Sequence, residues 1–469
     1  MNRKINIFLI FTCFLIIIII YIFFPKKYYL DAIIVSLLII YIMMLLFPEI
    51  CLNLHDLFSP KNLTLSLMLM KIIFVPFTVA LFGNYIEVLP KEPSSNSMNL
   101  AIVFETLAFL SFSVGIMMFS HVYKEKKAKN QVLKEKWKPN YKTILWFYFI
   151  GLIGLMLRFD GITGYILYLK EPGLANKIFF DHPTVGHFLG QLLRPFLTYG
   201  IVFGWCIWLD KQKGKNNLFL VIRKTLFFMI FVFIVSFDLN RATMLVPILA
   251  MIGVLTIKEN KISLPIIFLF VIILLLATIY LGEFRNAALF GKAKLSISVG
   301  DAFLSLIQNY FGGPQFFGYF LESIEFGNKT FLGKTIIASI MHPIPILGKT
   351  FREYSGPSIY NVLIYGTGAP AADQIIPTIA EIYLNFNIIG IILIYLILGI
   401  LISYIEKVYL YNKKISSIYV YILIVLGYWL AQMATNANFA IASQIAFYGL
   451  WPIYLLFILR NKKNHRANY

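Results

Sequence analysis

Apolar positions dominate this chain in long unbroken runs rather than in alternating or heptad patterns. Runs near 5–24, 28–47, 62–82, 100–120, 143–158, 190–209, 218–237, 242–257, 262–281, 375–402, 415–432 and 439–459 are each long enough to predict a membrane-spanning helix. About twelve spans follow, joined almost everywhere by short polar connections. The run at 5–24 is too long for a signal-peptide core and lacks a small-residue cleavage site, so it reads as a retained first span. One connection breaks the pattern. Residues 282–374 form a long insert rich in Gly, Pro and aromatics. Within it, Phe303 to Phe326 is amphipathic and interrupted at Phe311-Gly312-Gly313-Pro314. Phe331 to Met341 is a second apolar segment, too short to span and ended by His342-Pro343. These predict short helices lying in the interface or re-entering it, where broken backbone must line protein or a water-filled cavity. The alternative is a cap that only stabilises the bundle.

Composition agrees with the pattern: 59% of residues are hydrophobic and 13% charged, and mean hydropathy is +0.78. The expected fold class is therefore all-α, a polytopic integral membrane protein with a single transmembrane domain over 1–469 and the 282–374 insert between spans 9 and 10. The net charge of +19 is an orientation signal. An even span count puts both termini on one side, and that side carries most of the Lys and Arg, whereas acids and bases nearly balance on the other. Both termini are thus expected in the cytoplasm and the insert outside it. The basic stretch Lys124 to Lys142 and the tail Arg460 to Arg466 serve anionic lipid, with no nucleic-acid partner. Cys13, Cys51 and Cys206 support neither a disulfide framework nor a thiolate metal site. His182 and His187 lack a nearby acidic ligand pattern, and no metal is expected.

The outer face gathers arginines at Arg158, Arg194, Arg241, Arg285 and Arg352, where the inner face prefers lysine. Arginine grips phosphate and diphosphate in bidentate fashion and keeps its charge beside apolar surroundings. Each alone reads as a snorkelling anchor; together they point to an anionic, lipid-borne substrate. Acid–base candidates share that face. Asp238 sits three residues before Arg241 in a tight turn, Glu283 and Arg285 flank the exit of the ninth span, and Asp373 closes the insert. Glu381 lies inside the tenth span, where an ionisable group is functional by default, with a salt bridge to Arg241 or Arg285 as the structural alternative. His342 is a further general-base candidate, or simply a polar residue ending a helix before Pro343. Lys71 and Glu105, in the third and fourth spans, are expected to pair structurally. No phosphate-binding Gly-Lys-Ser/Thr loop, dinucleotide fingerprint or soluble nucleotide-binding domain is present, so no cofactor is expected and any donor must arrive lipid-linked.

Three stretches carry a family resemblance: Asn240-Arg241-Ala242-Thr243 leading into a span, Gly282-Glu283-Phe284-Arg285 leaving the next, and Ala380 to Phe386, which includes Tyr383, followed by Asn387-Ile388-Ile389-Gly390. With the whole span layout, they make the chain similar to the Wzy-type repeat-unit polymerases of O-antigen, capsule and exopolysaccharide synthesis. Family members often place Gly after the Asn-Phe pair, where this chain has Asn387. The resemblance implies a membrane-embedded glycosyltransferase of the bacterial cytoplasmic membrane. It would move a growing glycan from undecaprenyl diphosphate onto a new lipid-linked repeat unit. Arg241 and Arg285, then Arg194 and Arg352, would hold the diphosphate, with Glu381, Asp238 or His342 as base. A chain-length regulator and a flippase of the same pathway are the implied protein partners. Competing readings are a ligase that transfers finished glycan to another acceptor, and a lipid-linked oligosaccharide flippase or transporter. The flippase predicts two similar halves, which this sequence lacks.

Overall fold

The computed structural model describes residues 30–53, 56–85, 89, 91–125, 141–171, 184–212, 218–237, 241–258, 299–324, 331–344, 347–366, 376–413 and 415–458. Among these residues every regular element is helical. They include seven helices long and apolar enough to cross a membrane, or eight counting one bent pair. The chain is a multi-pass all-α membrane protein. The expected runs at 5–24 and 262–281 lie outside the described residues; every other run coincides with a helix or a bent helix pair.

The chain divides into two compact units. The first comprises Met1–Val132, Val299–Val408 and Leu426–Gln444; the second comprises Leu133–Ser298, Tyr409–Val425 and Ile445–Tyr469. In the first unit, the first described helices are α1 (Leu30–Leu46) and α2 (Pro60–Phe82). Ser59 caps α2 by accepting the Asn62 amide, and Pro60 takes the first position, where its missing N–H costs nothing. Midway, Met70–Phe74 widens into a π-turn that seats Lys71. Pro76 follows directly; it has no amide to offer and crowds the carbonyl four residues back, so the helix widens there. Next comes α3 (Ser95–Glu125).

The second unit contains α4 (Tyr141–Arg158), α5 (Ile162–Lys170), α6 (Val185–Leu193), α7 (Pro195–Gln212), α8 (Leu218–Ser236) and α9 (Arg241–Lys258). Gly151 and Gly154 let α4 lie directly on the Leu193–Leu197 backbone, because a Cβ at either position would collide with it. At the head of the 417–435 helix, Asp210 accepts the Ser417 hydroxyl at 2.6 Å and the Ser417 amide at 3.3 Å, with Lys258 3.5 Å away.

The long insert belongs to the first unit from Val299 onward. It is built of short helices, as its broken hydropathy implied: α10 (Val299–Tyr310), α11 (Pro314–Ser323), α12 (Lys334–Met341), α13 (Leu347–Phe351), a 3-10 turn (Arg352–Tyr354) and α14 (Gly356–Tyr365). Rather than a loose loop, α11 is a core element. Pro314 to Leu321 are all buried, with Phe316, Phe317 and Phe320 packed against the Phe104–Phe112 stretch of α3 and against Tyr360, whose hydroxyl donates to the Phe316 carbonyl at 2.9 Å.

Three helices follow: α15 (Thr378–Asn412), α16 (Ser417–Thr435) and α17 (Phe439–Gln444). The last runs through a π-turn to Gly449 and then bends by 52° into Trp451–Ile458, so the expected final span is a bent pair. A break inside α15 falls at Asn387, with φ 56° and ψ −153°. That backbone geometry suits glycine and strains other residues. Asn387 is held there by its own side-chain oxygen, which accepts the Ile388 amide at 2.9 Å.

Candidate functional site

The break at Asn387 organises the site. Just before it, the Leu384 and Asn385 carbonyls accept the Phe331 and Leu332 amides of the insert at 3.2 and 3.1 Å. The Asn385 side chain extends this seam. It donates to Thr335 Oγ1 at 2.5 Å and to the Glu381 carbonyl at 2.7 Å, and accepts the Gly333 amide at 3.0 Å. Gly333, at φ 86°, starts α12 from this anchor. The first two turns of α15 and the insert helix α12 are therefore stitched together through one buried amide.

Glu381 sits one turn earlier and is fully buried. One carboxylate oxygen accepts the Ser339 hydroxyl of α12 at 2.7 Å, and the other accepts the Phe439 amide at the start of α17 at 3.0 Å. Ser339 also accepts the Gly356 amide at 3.3 Å, and its carbonyl accepts the Ser443 hydroxyl of α17 at 2.8 Å. Gly356 leaves the room this requires: a Cβ there would stand 2.5 Å from Glu381 Oε1 and 2.7 Å from its carboxyl carbon. One carboxylate thus ties α12, α14 and α17 to α15. Among the described residues no cation lies within ion-pair distance of Glu381.

Three residues beyond Ser339, His342 ends α12 half-buried. Arg352 Nε donates to its Nε2 at 3.0 Å, and the Gln444 amide group contacts Nδ1 at 3.4 Å. A guanidinium only donates, so Nε2 is the acceptor and the ring proton sits on Nδ1, where it is satisfied when the Gln444 amide turns its oxygen to the ring. Burial, then the Arg352 charge, holds the imidazole below its usual pKa range. It is a neutral base at neutral pH. Arg352 itself is exposed, its carbonyl held by the Ser355 and Ser358 hydroxyls at 2.7 and 2.6 Å. This leaves a charged fork at the surface beside a neutral imidazole, over a buried carboxylate clamp. Such a set can bind a dianion and take up a proton.

The other sequence candidates are distributed as follows. Tyr383 packs on the Phe104 and Phe317 rings, centroids 5.5 and 6.0 Å apart, on the far side of the same turn. Arg194, in the second unit, is buried and hydrogen-bonds the Val235 and Phe237 carbonyls at 3.1 and 2.7 Å, closing the end of α8. Its guanidinium also lies 5.5 Å from the Phe159 ring. Arg158 contacts Gln191 at 3.4 Å. His187 has an acidic partner after all: Asp160, distant in sequence, lies 3.0 Å from its Nε2, while its Nδ1 accepts the Thr184 amide in a capping box. Arg241 opens α9, its side chain outside the described residues, and Asp238, Glu283, Arg285 and Asp373 fall outside them altogether. Lys71 and Glu105 pair as expected, 3.4 Å apart and both buried. Among the described residues no group of three or more His, Cys, Asp or Glu could hold a metal ion.

Sequence reasoning missed Ser339, Gly356, Asn385 and Gln444. Asn385 lies within the Ala380–Phe386 stretch that carries the family resemblance, and Ser339 stands one turn before His342, which were the available signals. Gly356 and Gln444 gave none, since their roles exist only through contacts distant in the chain.

Comparison with known proteins gives two findings and one blank. The model of the family O-antigen polysaccharide polymerase Wzy matches residues 5–464. Protein CapE of Staphylococcus aureus is 27% identical over 312 residues, covering 64% of this chain and 62% of that protein. The match therefore spans less than two thirds of that relative's length. No solved structure matches. With the family model covering nearly the whole chain, this chain belongs to the O-antigen polysaccharide polymerase Wzy family.

Proposed function

We propose that this protein polymerises a polysaccharide at the outer face of the cytoplasmic membrane. It transfers a growing glycan from undecaprenyl diphosphate to a hydroxyl of a new lipid-linked repeat unit, with both termini in the cytoplasm. The observation that carries the reading is the exposed Arg352 hydrogen-bonded through Nε to a neutral His342 on a roof clamped by Glu381. In the transfer, the bond from the sugar anomeric carbon to the diphosphate breaks. The acceptor oxygen forms the new glycosidic bond, and its proton passes to His342 Nε2. Charge developing on the leaving diphosphate is met by the Arg352 fork. Binding that dianion draws the guanidinium away from the imidazole and frees the Nε2 lone pair. Glu381 is completely buried with both oxygens occupied, so its role in this reading is to position α12 and α17 rather than to take the proton. Arg241 and Arg285 remain in the proposal as further diphosphate ligands on sequence grounds.

The test uses full-length protein in lipid with an undecaprenyl-diphosphate repeat unit and no nucleotide sugar, products being resolved on a gel. Wild type should give a ladder. His342→Gln and Arg352→Ala should each lose it by about a hundredfold or more while remaining inserted and folded. Ladders of wild-type intensity from both variants would reject this site.

A further inference from the structure

The buried pair of Lys71 and Glu105 lies away from the site, yet its hydrogen bonding leads there. Lys71 projects from the π-turn of α2, and its ammonium donates to the Thr435 carbonyl at 2.6 Å. Thr435 is the last residue of α16, where carbonyls lose their intrahelical donors and a cation complements the helix dipole. The following turn is pinned at alternate residues. Thr435 is held by Lys71, Ala437 by the Thr378 hydroxyl at 2.7 Å, and Phe439 by Glu381 at 3.0 Å. Asn438 then caps α17, its side chain accepting the Ile441 amide at 2.9 Å. Helix α17 carries both Phe439, which meets Glu381, and Gln444, which meets His342.

Glu105 faces Lys71 within the bundle. It contributes the 3.4 Å ion pair, and neither of its oxygens has a hydrogen-bond partner among the described residues. A pair retained for stability alone would be better hydrogen-bonded, or replaced by packed apolar groups at little cost.

We infer that Lys71 is a positioning residue for the His342–Arg352 site, acting through the Thr435–Asn438 turn to fix α17 against Glu381 and His342. The inference rests on the proposed role of that site. Ionisable groups on the elements packed around Glu381 are Lys334 and His342 on α12, and Arg352 and Glu353 on the turn before α14; Lys71 reaches it only through backbone.

The experiment is infrared difference spectroscopy on the full chain in lipid bilayers, with the Glu381 carboxyl band assigned by its loss in Glu381→Gln. Lys71→Met should displace that band, because the Phe439 amide is no longer held against the carboxylate, and should cut polymer formation on the order of tenfold. Lys71→Arg keeps a cationic donor and should restore both. Lys71→Met strands Glu105 without its counter-ion, so Lys71→Met combined with Glu105→Gln provides a charge-free version that folds without a buried orphan charge. The double variant should show the same displaced band and slowed polymerisation. A wild-type band in the double variant would overturn the inference, and so would a displaced band with wild-type polymerisation. Full activity in His342→Gln and Arg352→Ala is a different outcome; it rejects the site itself and leaves the band result readable.

Discussion

Gly356→Ala is the sharpest perturbation of the Glu381 clamp. At an ordinary first-turn helical position, alanine in place of glycine stabilises by about 1 kcal/mol. Here the added methyl would stand 2.5 Å from Glu381 Oε1, 2.7 Å from the carboxyl carbon and 2.9 Å from Cγ. Those distances lie well inside contact, so the whole end of the buried side chain must move. Overpacking of this kind costs about 1–3 kcal/mol. A displaced carboxylate also strains its two hydrogen bonds, each worth about 1.5–3 kcal/mol when made to a charged group. The unfavourable contributions exceed the propensity gain, and the net is a destabilisation of about 2 kcal/mol or more. The assay is thermal melting of the protein in detergent or bilayer discs, alongside the ladder. A matched control is Gly186→Ala in α6, where a Cβ would find nothing nearer than Thr184 Oγ1 at 3.4 Å. Gly356→Ala should melt several degrees below wild type and polymerise poorly, while the control melts at or above wild type. Equal melting of both variants, with intact ladders, would refute the clamp.

Asn387 holds φ 56° by means of its side-chain bond to the Ile388 amide. Asn387→Ala should therefore lose about 2 kcal/mol in melting experiments, whereas Asn387→Gly should stay within about 1 kcal/mol of wild type. The pH response follows from His342, whose folded-state pKa lies below its unfolded value. Between the two values the unfolded chain binds more protons, so stability is complete above the ordinary histidine range and is lost as pH falls through the folded value. Melting temperature should decline on acidification below about pH 6.5, with a shallower decline in His342→Gln. Arg241→Ala and Arg285→Ala should each reduce ladder formation by about tenfold or more with insertion unchanged; wild-type ladders from either would remove that residue from the proposal.

The sequence by itself determined the class and most of the spans. Long apolar runs have one stable solution in a bilayer, because helices satisfy their own backbone, and that requirement is local. Glu381 could likewise be singled out from the sequence, since a carboxylate inside such a run demands a partner. Tertiary structure decided who the partner is. The sequence offered Arg241 or Arg285 for it, whose side chains lie outside the described residues; among those described, the Ser339 hydroxyl and the Phe439 amide meet the carboxylate, both far away along the chain. The pairing of His342 with Arg352 and Gln444, and the use of Arg194 to close a helix end, are equally non-local. Hydropathy reports burial along one dimension. It carries no information about which buried donors converge, because convergence depends on helix crossings set by close-packed residues such as Gly151 and Gly356 and on breaks such as Asn387.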